Sequence, residues 1–287
     1  MTHPAGELRI DLATRDGAVA TVEVVSTRPQ VADRLLAGRP AEVAVALMPQ
    51  LFPICGRAQG LAAELKLQAA RGAVADDAAL QQARTLRIET EMLQEYLWRA
   101  LIDWPQAVGA AADAAVLAEL RRALAVDPAG AHEATRSALR EVSERAVFGG
   151  PAAAWYAHEH VPAFEIWIAR AATPAARFLG AVQREGPRHG APRAAGVVPL
   201  LPAFGDAGTL RGVAAALAAD EGYASAPLLD DRPAETGAVA RQAGHPLVAA
   251  LLAAFGRSTL TRLAARITEL ARIAAGIAAP APLFGAL

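Results

Sequence analysis

The chain has 287 residues, one cysteine and a formal net charge of −1 at pH 7. This length is sufficient for a sizeable core, and the near-neutral charge gives no basic field that would attract nucleic acid or an acidic membrane surface. A single cysteine excludes an intrachain disulfide framework and a structural zinc site built from several thiolates. Neither a signal peptide nor a run of about 18 apolar residues is visible, so we expect a cytoplasmic protein with a reduced thiol.

Residues 1–28 are predicted to form a β-hairpin region. Residues 7–13 alternate apolar and polar side chains, Asp16 and Gly17 are a turn signal, and residues 18–25 are typical of a returning strand. The pattern then changes, because alanine becomes abundant while aromatic and strand-forming runs are few. We therefore predict a mainly α protein with a small N-terminal antiparallel hairpin.

The remaining residues, 29–287, are predicted to form a helical body. Its longest periodic stretch runs from Asp77 to Asp103, and Pro105 is expected to end it. The last helix is expected to begin after Ser258 as N-cap and to reach about Ala278. Other helices are predicted before Gly38, from Pro40, after Cys55 to about Arg71, and at about 113–125, 131–146, 162–171, 174–184 and 207–219.

Two segments of the helical body are predicted to be irregular, near 184–206 and 222–234, where proline, glycine and polar residues concentrate. No internal repeat of 20–50 residues divides the sequence. The prediction is therefore a single domain over residues 1–287.

Cys55 lies directly before a predicted helix, in the stretch LMPQLFPICGRAQGLAA at 47–63. Backbone N–H groups at a helix N-terminus stabilise a thiolate, and Gly56 would let a ligand approach the backbone. These features suit a nucleophile or a ligand of a soft metal, although an inert buried cysteine is the simpler interpretation of local features alone. No histidine has a spacing that marks it as a base for Cys55, so a cysteine-dependent enzyme has no positive support.

Several stretches resemble the large subunits of nickel–iron hydrogenases. The segment GELRIDLATRDGAVATVEVV resembles their N-terminal hairpin, and residues 33–59 follow their first metal-site motif without a gap. Asp33 stands at the glutamate of that motif, Gly38 and Arg39 are retained, and Cys55 takes the position of the second cysteine. Further on, YLWRALIDW resembles the helix that follows, and residues 226–241 resemble the EVGPLAR motif through Glu235, Gly237, Ala240 and Arg241.

The departures from this family are equally informative. Phe52 replaces the first cysteine of the motif, Gln59 replaces its histidine, and a second Cys-x-x-Cys pair is missing. Because one thiol cannot build the dinuclear site, we expect no hydrogenase activity and no enzyme. A shortened, degenerate relative of this kind is similar to the hydrogenase maturation accessory proteins of the HupK/HoxV type. The resemblance implies a truncated large-subunit-like helical bundle.

The resemblance also implies a maturation scaffold that transiently holds an iron–dicyanide–carbonyl unit through Cys55 before nickel arrives. A single soft thiolate would hold this cargo more exchangeably than two bridging thiolates. The implied partners are the hydrogenase large-subunit precursor and iron-delivery maturation chaperones, with no nickel, nucleic acid or membrane. The alternative is a metal-free mimic of the large subunit that acts as a protein-interaction module, which Phe52 and Gln59 favour.

Five further residues are candidates for contact with the iron unit. Gln59 lies one helical turn after Cys55, on the same face, and has an amide that can donate a hydrogen bond to a cyanide nitrogen. As alternatives, Asp33 would form a structural hydrogen bond, and a buried ion pair would explain Glu235 and Arg241. The five candidates are Asp33, Phe52, Gln59, Glu235 and Arg241.

An aromatic cluster surrounds the histidines of the HEH stretch at 158–160. Histidines two residues apart share a face only on a strand, so an exposed polar corner is expected there in preference to a zinc site. Aromatic side chains are common at protein interfaces. Trp155, Tyr156 and Trp167 are therefore candidates for contact with a partner protein.

Overall fold

The computed structural model describes residues 6–27, 32–52, 54–72, 78–126, 133–191, 200, 207–220, 222–223, 227–229 and 232–279. The chain forms two compact units, Met1–Arg71 and Gly72–Leu287. The first unit contains the hairpin and three helices, and the second contains the remaining helices. The mainly helical fold with a small antiparallel hairpin is therefore confirmed, while the assignment of one domain to the whole chain stays a prediction.

The hairpin consists of β1, Leu8–Arg15, and β2, Ala18–Ser26, which pair antiparallel. Asp16 and Gly17 connect them with positive φ angles of 53° and 77°. Positive φ at both central residues defines the type I′ turn, whose twist matches that of the flanking strands. The predicted hairpin and its turn are confirmed.

Three helices complete the first unit: α1, Ala32–Leu36, α2, Ala41–Leu51, and α3, Gly56–Ala70. Helices α2 and α3 pack against each other. A Cβ atom at Gly56 would lie 2.6 Å from the carbonyl oxygen of Pro49 in α2, and one at Gly60 would lie 3.0 Å from Cγ of Pro49. The two glycines therefore form a shallow groove on α3 that accommodates Pro49, which holds the two helices close together.

The second unit begins with a long helix, α4, Ala78–Trp98. It continues into a π-helical turn, Arg99–Asp103, and one further turn, α5, Trp104–Ala107. Pro105 does not end the helix as predicted. It lies in the first turn of α5, directly after the π-helical turn has changed the hydrogen-bond pattern, so the N–H group that proline lacks is not needed for a helical hydrogen bond.

The second unit ends with a long helix, α14, Thr259–Ala274, and several of the helices before it pack against this helix. Those before it are α6, Ala114–Val126, α7, Glu133–Ser143 with a π-helical turn at Glu144–Phe148, α8, Ala152–Tyr156, α9, Val161–Arg170, α10, Pro174–Arg184, α11, Ala207–Ala219, α12, Ala238–Arg241, and α13, Pro246–Phe255. The bounds of α10 and α11 agree with the predicted 174–184 and 207–219. Helix α13 was not predicted, because its sequence PLVAALLAAF is apolar on every side and shows no helical period.

Helix α14, Thr259–Ala274, is the centre of the second unit and packs against α4, α7, α8, α10, α12 and α13. Ser258 caps its N-terminus as predicted, since its side-chain oxygen accepts a hydrogen bond from the Thr261 N–H at 3.2 Å. The helix ends at Ala274, one turn earlier than predicted, and Gly276 follows with a positive φ of 69°. Leu260, Ile267 and Leu270 are at most 1% exposed, so this side of the helix is part of the core.

Most of the segments that were predicted to be irregular lie outside the described residues. Within them the structure records two isolated bridges, Leu200 with Glu235 and Leu229 with Arg232. Among the residues that the structure describes, no helix has the length and apolar character needed to cross a membrane.

Candidate functional site

Cys55 is the N-cap residue of α3 and a free, half-buried thiol. Its carbonyl oxygen accepts a hydrogen bond from the Gln59 N–H at 3.0 Å, so the helix begins at this residue. The side-chain Nε2 of Gln59 lies 4.0 Å from Cys55 Sγ, within hydrogen-bonding range of sulfur. The sequence therefore correctly placed Cys55 at a helix start and Gln59 on the same face.

The glycine that follows Cys55 has a different role from the one expected. The Cβ position of Gly56 faces the Pro49 carbonyl, so this side of the backbone is occupied by α2. Gly56 therefore serves the packing of α2 against α3, not the approach of a ligand at that position. Its effect on Cys55 is indirect, because the close packing fixes the end of α3 from which the thiol projects.

The remaining candidates in the first unit are placed less completely. Asp33 belongs to α1, but its side chain lies outside the described residues. Gly38 ends this segment with a positive φ of 73°, and Arg39 donates from Nε to the Leu35 carbonyl at 2.5 Å. Phe52, at the first-cysteine position, is the half-buried C-cap residue of α2.

A catalytic base for Cys55 is not present in the described part of Met1–Arg71. The only histidine of this unit in the sequence, His3, lies outside the described residues. The described residues also contain no group of three or more His, Cys, Asp or Glu side chains arranged to hold a metal ion. Within the described part of this unit, Cys55 is therefore a single ligand without a protein-built coordination sphere.

The expected ion pair between Glu235 and Arg241 is wrong. Glu235 pairs with Arg262, with contacts of 2.5 and 2.9 Å, and with Arg257 at 3.3 Å. The hydrogen bond from Arg262 holds the pKa of the Glu235 carboxyl below its ordinary value. Arg241 has a different partner, Glu269 of α14, which nothing in the local sequence marks.

Arg241 and Glu269 belong to a buried polar network that joins three helices of the second unit. Arg241 donates to both oxygens of Glu269 at 2.6 Å, a bidentate pair, and also to Tyr96 Oη at 3.2 Å. Tyr96 in turn donates to Glu269. Glu269 is only 1% exposed, and burial alone would raise its pKa, but the bonds from Arg241 and Tyr96 keep that pKa below its ordinary value.

A pocket of about 450 Å³ lies beside this network. It is lined by Arg241, Gln242, His245 and the segment around Tyr156. His245 donates from Nε2 to the Tyr156 carbonyl at 2.9 Å, and burial lowers the pKa of its imidazole. The neutral ring therefore presents Nδ1 as an acceptor, and this nitrogen has no partner among the residues that the structure describes.

Most of the aromatic residues near 155–167 are part of the hydrophobic core. They do not form the exposed patch for contact with a partner that was expected. Trp155 is 3% exposed and Trp167 is 8% exposed, and the indole N–H of Trp167 donates to the Phe148 carbonyl at 2.8 Å. Only Tyr156 is half-buried and retains a free part of its side chain. His158 lies edge-on against Trp155 outside any helix or strand, as expected for a turn-like corner.

Comparison with known proteins gives no matching family model and no matching solved structure, but it does give matching relatives. The hydrogenase expression/formation protein HoxV of Cupriavidus necator is 33% identical over 254 residues, 86% of this chain and 62% of HoxV. HupK of Rhizobium leguminosarum bv. viciae is 31% identical over 252 residues, 85% of this chain and 62% of that protein. HupK of Azotobacter vinelandii is 37% identical over 123 residues, 42% of this chain and 35% of that protein.

These similarities place the chain among the hydrogenase expression/formation proteins. Within that class it is a homologue of the HupK/HoxV type, as its motifs predicted. The chain spans about 62% of the length of HoxV and of the rhizobial HupK.

Proposed function

We propose that this chain is a non-catalytic maturation scaffold for a nickel–iron hydrogenase, which transiently holds the iron–dicyanide–carbonyl unit through Cys55 and passes it to the large-subunit precursor. The observation that carries the proposal is the free, half-buried Cys55 thiol at the N-terminus of α3, in a chain related to hydrogenase expression/formation proteins. The proposed partners are the large-subunit precursor and the chaperones that deliver the iron unit.

The proposed binding step uses the thiolate of Cys55 as the one protein ligand. One Fe–S bond to Cys55 would form as the bond between iron and a ligand of the delivering chaperone breaks, the proton of the thiol would pass through solvent, and the positive end of the α3 dipole would favour the thiolate. On transfer this bond breaks, the precursor's thiolates replace Cys55 on iron, and Cys55 takes up a proton again. The oxidation state of iron does not change in either direction, so no electron donor or acceptor is required.

Gln59 is placed to assist this ligand. Its amide nitrogen is 4.0 Å from Cys55 Sγ, which leaves a long and weak contact to the free thiol. A thiolate is a stronger acceptor than a thiol, so the same amide would stabilise the metal-bound form of Cys55. An amide can also donate a hydrogen bond to the nitrogen of a cyanide ligand.

Weak attachment is an expected property of such a site. Among the described residues, no cluster of three or more His, Cys, Asp or Glu side chains is present that would trap the iron unit with several protein ligands. The cyanide and carbonyl ligands of the unit would stay on iron beside the Cys55 thiolate. A carrier must release its cargo, and a single exchangeable Fe–S bond meets that requirement.

The lack of a metal-binding cluster among the described residues also supports one alternative. In this alternative the chain is a metal-free mimic of the large subunit that organises assembly as a protein-interaction module. Phe52 and Gln59 occupy the positions of a cysteine and a histidine, and both changes remove metal ligands. In this alternative Cys55 would only contribute to the packing at the junction of α2 and α3.

Infrared spectroscopy distinguishes the two functions, because cyanide and carbonyl stretches absorb where protein does not. The chain would be purified without oxygen from a host that expresses the hydrogenase accessory proteins, beside Cys55→Ala, Cys55→Ser and Gln59→Leu. We expect both sets of bands and about one iron per chain in the wild type, loss of both in the two Cys55 variants, and weaker retention of iron in Gln59→Leu.

The outcome that contradicts the scaffold is a wild-type protein that is folded and co-purifies with its partners but shows no such bands. Bands that persist unchanged in Cys55→Ser would place the iron unit elsewhere on the chain. Since serine is close to cysteine in size and is itself a favoured N-cap residue, loss of the bands in this variant would not be attributable to misfolding of α3.

A further inference from the structure

The second unit has a pocket between α8, α9 and the π-helical turn that ends at Phe148, and the candidate functional site does not use it. Its volume is about 280 Å³. The buried side chains of Phe148, Trp155 and Trp167 line its interior, and the exposed side chains of Ile166 and Arg170 line its rim. This aromatic pocket therefore combines an aromatic interior with an entrance at the protein surface.

Trp155 supplies a hydrogen-bond donor without an acceptor. The residue is 3% exposed, and its indole N–H has no partner among the residues that the structure describes. The other indole of the aromatic pocket, that of Trp167, donates to the Phe148 carbonyl at 2.8 Å. A buried donor without an acceptor is unfavourable, and native structures contain few of them. An acceptor oxygen on a bound ligand would give the Trp155 N–H the partner that the described chain does not supply.

The charge at the rim favours an anion. Arg170 is positively charged, and none of the described residues that line the pocket is Asp or Glu. The charge of Arg170 acts on the pocket, because burial and then Arg170 lower the pKa of another lining residue, His158. The His158 imidazole is therefore neutral at pH 7 and adds no charge of its own. A guanidinium group beside a neutral wall attracts a carboxylate.

The volume and the walls of the pocket set the size and shape of its ligand. A dry apolar cavity of about 150 Å³ is large enough to hold benzene. The aromatic pocket, at about 280 Å³, has room for such a ring together with a carboxylate. The Trp155 and Trp167 rings lie at 80° to each other with their centroids 5.5 Å apart. They therefore provide two walls of different orientation, against which a planar group can pack by its face and by its edge.

We propose that the aromatic pocket binds a small aromatic carboxylate. The ring of the ligand packs against the indoles of Trp155 and Trp167, its carboxylate accepts a hydrogen bond from the Trp155 N–H, and Arg170 at the rim adds electrostatic attraction. Recognition requires both parts of the ligand, the ring for the walls and the anion for the donors. The pocket lies in the second unit, so this binding does not depend on the proposed role of Cys55 and is tested without iron.

Nuclear magnetic resonance of the ¹⁵N-labelled full chain tests the proposal with benzoate as the probe. Each of the four tryptophans gives one indole N–H signal, which is assigned by replacing the tryptophans one at a time with phenylalanine. We expect benzoate to move the Trp155 signal downfield until it saturates. The signal of Trp104, which does not line the pocket, should stay in place. Benzyl alcohol has the ring without the charge and acetate has the carboxylate without the ring, so both should bind about tenfold more weakly.

Two arginine substitutions test the charge at the rim, with affinities measured by saturation-transfer spectroscopy of benzoate. Arg170→Gln should weaken benzoate binding by about fivefold, the effect of one exposed charge. Arg122→Gln is the matched control, because Arg122 is an exposed residue of α6 that does not line the pocket, and it should bind as the wild type does. Trp155→Phe keeps an aromatic wall but loses the N–H, so it should weaken binding by about tenfold.

Three results would each overturn the proposal. They are a Trp155 signal that shows no saturable shift with benzoate, benzyl alcohol that binds as tightly as benzoate, and equal affinities of Arg170→Gln and Arg122→Gln. Arg170 is exposed, so its substitution leaves the core intact. A Trp155→Phe variant that failed to fold would hide none of these results, since the other three tryptophan variants still assign the Trp155 signal.

Discussion

The two units of the chain differ in how completely they bury their side chains. In the described part of Met1–Arg71, only Gly56 and Leu61 are buried, and the hairpin exposes aliphatic side chains such as Leu8 and Val24. In Gly72–Leu287, large side chains such as Phe164 and Leu247 are fully buried, and even the charged network around Glu269 is enclosed. The first unit is thus thinly packed, and the second has a continuous core.

The unit that supplies most of the stability is therefore not the unit that carries the proposed function. The free energy of folding comes chiefly from buried apolar surface, so the second unit supplies most of it. The first unit contains Cys55, which we propose binds a cargo and passes it to another protein. Regions with few buried contacts open locally at low cost. A thinly packed unit is therefore a suitable place for cargo that must be received and released.

The largest expected effect comes from a leucine-to-alanine substitution in each unit. Leu247→Ala removes a fully buried side chain of α13 and should lower the free energy of unfolding by about 2–5 kcal/mol. Leu8→Ala, on a side chain that is 65% exposed, should lower it by less than about 1 kcal/mol. Urea denaturation followed by far-UV circular dichroism measures this effect, because the helices and strands of both units contribute to that signal, whereas all four tryptophans lie in the second unit. Equal losses would contradict the contrast between the units.

A somewhat smaller effect is expected from breaking the buried network. Glu269→Ala leaves Arg241 and Tyr96 without their shared acceptor and should cost about 3 kcal/mol, near the lower end for a buried pair because the Arg241 side chain keeps 22% of its surface exposed. Glu23→Ala, an exposed carboxylate of the hairpin, is the control and should change little. Far-UV circular dichroism again follows the denaturation of both units. A loss below 1 kcal/mol would show that the network contributes little to the core.

A smaller, local effect is expected at the junction that positions Cys55. Gly56→Ala would place a Cβ 2.6 Å from the Pro49 carbonyl, so α2 and α3 must separate slightly. This separation should lower the free energy of unfolding by about 1–3 kcal/mol. Hydrogen exchange of peptides from α2 and α3 should accelerate, while tryptophan fluorescence in the second unit stays unchanged. Gly212→Ala in α11 is the matched control, because its Cβ meets nothing within 4 Å and alanine favours the helix. Unchanged exchange in Gly56→Ala would contradict the packing role of this glycine.

The features that were predicted correctly are each marked by a few neighbouring residues in the sequence. The hairpin is marked by alternation and by Asp16–Gly17, and α10 and α14 begin after the capping residues Thr173 and Ser258. Cys55 and Gln59 are related by one helical turn, which also requires only local information. These positions are fixed by backbone geometry over a few residues, so they are visible before any tertiary structure forms.

The features that the sequence missed depend on distant residues. Arg241 pairs with Glu269, 28 positions further on, and Glu235 pairs with Arg262, 27 positions further on, so proximity in a motif suggested the wrong pair. Gly56 was assigned to ligand approach because nothing local shows that Pro49 packs against it. The burial of Trp155 likewise follows from packing around α14, which no periodic pattern near residue 155 indicates.

The smallest expected effect is a difference in pH sensitivity between the units. Burial lowers the pKa of His245 and of His158 below the ordinary value of 6.5, and both lie in the second unit. Below pH 6.5 the unfolded chain therefore binds protons that the folded chain does not, so the stability of this unit is complete above pH 6.5 and falls on acidification. Each histidine contributes less than about 1.4 kcal/mol per pH unit, the most that one proton can contribute.

This prediction is checked by urea midpoints from tryptophan fluorescence between pH 7.5 and pH 5.5. His245→Gln should flatten the decrease, whereas the exposed His160→Gln should leave it as in the wild type. Exchange rates of α2 and α3, corrected for the intrinsic effect of pH, should stay constant over this range, because His3 is the sole histidine of the first unit. If α2 and α3 opened on acidification as much as the second unit does, then the buried histidines would not be the cause.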